Sequence, residues 1–159
     1  MHLFIILVST YVATVAFSIL INIPRQALNL AGIVGTLGFL VYWLYLNFVG
    51  GYVIANLLGA VVIGIASMQA ARFKKMPMIL FNIPSIVPLV PGGQAYQMVK
   101  NFAFGNSQLG IKFMFEVIMI AGAIAFGFIL AESFNKLRLR IPTRNAKRWW
   151  KENRKNPRL

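Results

Sequence analysis

Residues 76–99 form an uncharged stretch of 24 residues between Lys75 and Lys100, punctuated by Pro84, Pro88, Pro91 and the pair Gly92-Gly93. In length and polarity it matches a membrane-crossing helix, yet each interior proline removes a backbone donor and crowds the carbonyl four residues earlier. Lipid offers no water to satisfy the freed groups. Broken backbone at this depth must therefore be buried in protein or line a wet cavity. In carriers such breaks form substrate sites, because a new helix N-terminus aims unpaired N–H groups and a positive dipole end at an anionic group.

The remaining sequence agrees with a membrane setting. Hydrophobic residues make up 58% of 159, mean hydropathy is +0.71, and three acids face 16 Lys plus Arg. This is far from the balance of a soluble domain. The chain has no Cys and no Asp, and His2 is its one imidazole. A disulfide framework, a thiolate metal site and a Ser/His/Asp relay are thereby excluded, so no catalytic residue, metal or cofactor is expected. An enzyme is not expected either.

Spans are counted from where charge is absent. Residues 3–21 give one, and the 46 uncharged residues 26–71 exceed a single helix and divide at Gly50-Gly51. The expected spans are 3–21, 27–49, 52–71, 76–99 and 109–131, forming a transmembrane domain over 1–131. The first is expected to be a true span rather than a signal peptide, since no basic n-region precedes it and no small-residue cleavage site follows. Residues 132–159 form a basic tail with ten Lys or Arg against two Glu. Five crossings put 14 of the 16 basic residues on one side, leaving Lys100 and Lys112 opposite. The tail is accordingly expected in the cytoplasm and the N-terminus outside. With Trp149-Trp150 among its basic residues, the tail reads as an anchor on anionic lipid, with nucleic acid as the alternative ligand.

Within the spans, Gly32, Gly35 and Gly38, and Ala123, Gly127 and Ala131, form stripes for close helix packing. Glu116 lies on the Ala123/Gly127 side of its helix and is the one acid inside a span. A charge at mid-bilayer costs about 3 kcal/mol on insertion scales, so Glu116 requires a partner or a task. Lys112, one turn away, offers an ion pair; a proton or substrate site is the other reading. Thr10, Thr14 and Ser18 read as hydroxyls bonded one turn back. Asn56 and Gln69 carry amides that need partners across an interface or in a cavity.

The run Asn22-Ile23-Pro24-Arg25-Gln26-Ala27-Leu28, the later Leu37-Gly38, and the run from Ile83-Pro84 through Pro88 to Pro91-Gly92 with Tyr96 four residues on together resemble the small membrane component of the threonine/serine exporter family. The resemblance covers most of residues 10–131. Gln26 departs from it where a second basic residue is common, and the tail is longer than the shared core. It implies a bacterial inner (plasma) membrane protein, multi-pass, that exports threonine, serine or succinate with a larger membrane subunit of the same family.

The expected architecture is all-α, with five spans and a Pro/Gly-broken fourth helix. A small carboxylate-bearing solute is expected at Pro84, Pro88, Pro91, Gly92, Gly93 and Tyr96, held by N–H groups of the break and the Tyr96 hydroxyl. Asn56 and Gln69 are further candidates. Asn22, Pro24 and Arg25 are expected to gate or gather anions at the cytoplasmic mouth, and Glu116 to couple a proton. Alternatives are a homo-oligomer instead of a two-subunit carrier, a pore, or a non-transporting scaffold whose basic tail binds anionic lipid or nucleic acid.

Overall fold

The computed structural model describes residues 2–139; most of the basic tail, with its tryptophan pair and expected lipid contact, lies outside the described residues. Regular structure among them is helical throughout: α1 (His2–Leu20), α2 (Arg25–Phe48), α3 (Tyr52–Lys74), α4 (Ile79–Ser85), a 3-10 turn (Val87–Leu89), α5 (Gly92–Ala103) and α6 (Ser107–Leu139). Helices α1, α2, α3 and α6 are long and apolar enough to cross a membrane. The stretch 76–99 is two short helices and a 3-10 turn, so no single helix there reaches the length of a span.

Local chemistry sets the helix ends. Asn22 takes a left-handed conformation (φ 59) after α1, and the Ile23 N–H donates to the Ser18 carbonyl at 2.9 Å, a helix stop that Asn tolerates in place of glycine. Pro24, with its fixed φ of −54, precedes α2. Gly50 and Gly51 at φ 81 and 91 make the turn that divides α2 from α3. At the end of α3, Arg72 and Lys74 sit in the last turn, where positive charge is favoured by the helix dipole.

Small residues then decide how the helices meet. A Cβ on Gly32 would lie 2.5 Å from the Tyr11 ring, and one on Gly35 would lie 2.7 Å from Thr14 Oγ1, so both glycines admit α1 against α2. Gly38 admits Ile63 of α3 in the same way. Helix α4 is inserted among α1, α2 and α3. Its Phe81 is fully buried, and the Ser85 hydroxyl donates to the Ala31 carbonyl at 3.0 Å.

The pairing of α3 with α6 is parallel. Gly127 meets Leu57 and Ala60, Ala131 meets Gly64, and Arg72 Nη2 donates to Asn135 Oδ1 at 2.7 Å, so positions on both helices advance together. The chain must therefore return from the Lys74 end of α3 to its Tyr52 end before α6 begins, and α4, the 3-10 turn and α5 make that return. The Ala123/Gly127/Ala131 stripe is buried, as its spacing predicts. Helix α6 does not stop at residue 131 with the apolar run; it continues to Leu139, with Lys136 and Glu132 paired at 3.8 Å across one turn.

Candidate functional site

The break is built from proline chemistry. Pro84 lies inside α4 and donates no bond; the 3-10 turn follows, with the Leu89 N–H on the Ile86 carbonyl at 2.8 Å. Val90, preceding a proline, is extended (φ −62, ψ 131). Around Pro91 (φ −75, ψ 53) the Gly92 N–H donates to the Val90 carbonyl at 2.7 Å, a tight inverse γ-turn. The first helical bond of α5 runs from the Ala95 N–H to the Pro91 carbonyl at 2.9 Å. No side chain caps this helix. The donors available there are thus the N–H groups of Gly93 and Gln94; the Gly92 N–H, expected among them, is already bonded. Depth is set by Leu89, which packs on Gly59, itself against Gly38 near the middle of α2.

Gly92 and Gly93 have ordinary helical backbone, and a Cβ on either would meet nothing within 4 Å. Neither backbone angle nor internal packing demands glycine at these positions. Tyr96 is 66% exposed and lies on the outward side of α5 together with Val99. The half-buried side carries Gln94, Gln97 and Asn101, an amide stripe at i, i+3 and i+7. None of these three residues is among the sequence-based candidates; their helical spacing inside an otherwise apolar stretch is the signal that marks them.

Other polar candidates separate clearly. Thr10, Thr14 and Ser18 donate to the carbonyls of Ile6, Thr10 and Thr14 at 2.8, 2.8 and 2.7 Å, so their hydroxyls are engaged within α1. Asn56 is 3% exposed; its Nδ2 donates to the Tyr52 carbonyl at 2.7 Å, within its own helix rather than across an interface. Its Oδ1, Ser67 Oγ and Asn82 Oδ1 are buried and have no partner among the described residues. Asn56 and Ser67, eleven positions apart, share one face of α3. Gln69, by contrast, is exposed and needs no internal partner. Asn22, Pro24 and Arg25 are exposed at the same end of the bundle as Arg72, Lys74 and Lys75, far from the α5 N-terminus.

Glu116 belongs to a different place. With Lys112, Phe115, Met119 and Ile120 of α6 and Tyr52 and Val53 of α3 it lines an open cleft of about 410 Å³. Its level is the first turn of α3, near one end of the bundle rather than its middle. Lys112 lines the same cleft, yet the ion pair expected between them does not form; among the described residues the salt bridge is Lys136–Glu132. Helix α5 packs on another side of α6, where Gly110 meets Phe102. The half-buried Phe113, Met114 and Val117 continue that side at helical spacing. Glu116 and Gly92-Gly93 therefore lie on different flanks of α6 and do not converge.

The family described as "Threonine/Serine exporter, ThrE" matches residues 6–134. Among curated proteins, a Haemophilus influenzae protein described as uncharacterized is 30% identical over 128 residues, covering 75% of this chain and 43% of the relative. The chain thus spans less than half the length of that relative. No solved structure matches.

Proposed function

The chain belongs to the threonine/serine exporter family, ThrE, and from that premise we propose that it is one membrane part of an exporter for small carboxylate-bearing solutes, completed by a larger partner subunit. Exporters of this kind are multi-pass membrane transporters rather than enzymes. The observation that carries the proposal is the uncapped N-terminus of α5, opened by Pro91 beside two glycines with free space around them. There the N–H groups of Gly93 and Gln94 hold the solute carboxylate, and Gly92 and Gly93 keep the approach clear. Gln94, Gln97 and Asn101 supply amides along the path, and their side-chain carbonyl oxygens accept from the hydroxyl of threonine or serine. Succinate, with a second carboxylate and no hydroxyl, would use the α5 N-terminus alone. Arg25 and the neighbouring basic residues gather anions at the cytoplasmic face of a bacterial plasma membrane.

Two expected outcomes follow. A thiol introduced at Gly51 labels from outside intact cells, and a reporter fused after Leu159 is cytoplasmic, because the basic ends of α2, α3 and α6 gather on one side. Labelling at Gly51 only after permeabilisation overturns that orientation. In liposomes, this chain alone moves no threonine, serine or succinate down a gradient, whereas the chain co-purified with the larger subunit gives saturable flux. Saturable flux from the chain alone would replace the two-subunit assembly by a homo-oligomeric carrier; unsaturable flux would indicate a pore. Loss of function on removing residues 140–159, with full tolerance of changes at Gly92, would favour a scaffold.

A further inference from the structure

Lys112 and Glu116 stand one turn apart along the cleft between α6 and the first turn of α3, and they do not pair with each other. Two properties of the helix account for this. Lys four residues ahead of Glu is the weaker order for a helical ion pair, because it sets the cation nearer the positive end of the dipole. Side chains on a helix also lean toward its N-terminus, so both groups shift the same way and Lys112 stays ahead of Glu116. A cation and an anion are thereby held side by side, each open to a counter-charge from a ligand. The remaining lining is apolar: Ile120 is buried and closes the cleft from within, Phe115 and Met119 are exposed along α6, and the Tyr52 ring stands on α3. A volume of about 410 Å³ is that of a small-molecule site, in which apolar walls give affinity and a few polar groups set orientation.

We propose that this cleft binds a free α-amino acid with a large apolar side chain, its ammonium on Glu116, its carboxylate on Lys112 and its side chain against Phe115, Met119 and Ile120. A single carbon joins the two charged groups of such a ligand, so one molecule reaches both members of a pair offset by about 6 Å along the helix. A monocarboxylate or an amine leaves one protein charge without a counter-charge in a half-buried place, and a dicarboxylate is repelled by Glu116. Selectivity for the zwitterion follows from those costs. The apolar walls favour leucine or methionine over threonine or serine, because they offer contact area to a hydrocarbon side chain and few partners to a hydroxyl. This cleft lies on a different flank of α6 from the α5 N-terminus, and its occupancy does not depend on the exporter reading.

The test is equilibrium binding of labelled L-leucine to the full chain in nanodiscs of phosphatidylglycerol, a lipid with no ammonium of its own. Leucine is expected to bind at least roughly tenfold more tightly than isocaproate, which lacks the ammonium, than isoamylamine, which lacks the carboxylate, and than threonine or succinate. Each charge is expected to govern one preference and spare the other. With Glu116→Gln, leucine no longer exceeds isocaproate but still exceeds isoamylamine; with Lys112→Met the pattern is reversed. A merely structural role for either residue lowers all ligands together. The analogue series on the unsubstituted chain decides the matter even where a variant fails to fold. Absence of leucine binding, leucine no tighter than either truncated analogue, threonine as tight as leucine, or substitutions that weaken every ligand alike overturn the proposal. Loss of leucine binding when phosphatidylethanolamine replaces part of the phosphatidylglycerol also overturns it, and assigns the cleft to that zwitterionic headgroup.

Discussion

Gly92→Val is expected to reach the membrane at wild-type abundance and to lose export by at least about tenfold. The two halves of this expectation have separate causes. Abundance holds because Gly92 has helical backbone angles and a Cβ there touches nothing in the chain; a side chain in the first turn of α5 costs little or even favours the helix. Under the proposed function export falls because the branched side chain stands where the solute carboxylate would approach the Gly93 and Gln94 N–H groups, and a tenfold loss corresponds to only about 1.4 kcal/mol of lost binding. Lys100→Ala, at an exposed position two turns further along α5, is expected to change export less than twofold. The measurement is export at matched membrane abundance, with co-purification of the larger subunit as a second readout. Retained co-purification with lost export assigns the space beside Gly92 to the solute. Wild-type export from Gly92→Val would make the break a packing kink and move the search to Asn56 and Ser67.

The opposite pattern is expected at Gly127. A Cβ on Gly127 would stand 2.8 Å from both the Ala60 Cβ and the Leu57 carbonyl oxygen, and the second of these is backbone that cannot rotate aside. Gly127→Leu therefore forces α6 off α3, and overpacking of this kind costs about 1–3 kcal/mol. One or two kcal/mol changes a folded-to-unfolded ratio by about 5- to 30-fold. Folded protein recovered in mild detergent should fall accordingly. Gly122→Leu, on the same helix but facing open space, is the matched control and should leave the monomer's thermal stability unchanged. Equal losses for both variants would mean that helix α6 tolerates no bulk anywhere, and that the α3 contact is not what holds it.

Comparison of these two glycines shows what could be read from the sequence and what could not. The stripes through Gly35 and Gly127 were legible because close approach requires small residues at helical spacing. The break was legible because proline leaves the backbone few choices. Helix ends were less so. Charge marks where water begins, whereas a helix ends where its hydrogen bonds end; thus α6 runs on through Glu132 and Lys136 although the apolar run stops at Ala131. Facing was the least legible. In a segment apolar on most sides, periodicity does not say which side meets protein, so Gln69 turned outward and Tyr96 away from the amide stripe. The separation of Glu116 from Gly92 depends on which sides of α6 contact α3 and α5. That information resides in long-range contacts such as Gly127 with Leu57 and Gly110 with Phe102, and no local spacing encodes it.

The parallel match of α3 and α6 also imposes an order on biogenesis. Antiparallel neighbours such as α1, α2 and α3 can zip together as hairpins while they leave the ribosome, since each turn delivers the next helix to its place. Helix α6 cannot, because its partner face on α3 lies behind the whole return path of α4 and α5. Until translation passes Asn135, Ala60 and Gly64 present an uncovered groove shaped for a helix that has not yet been made. During that interval any other small-faced helix in the membrane is a competitor for it, and the speed at which α4 and α5 thread back across determines how long the groove stays open.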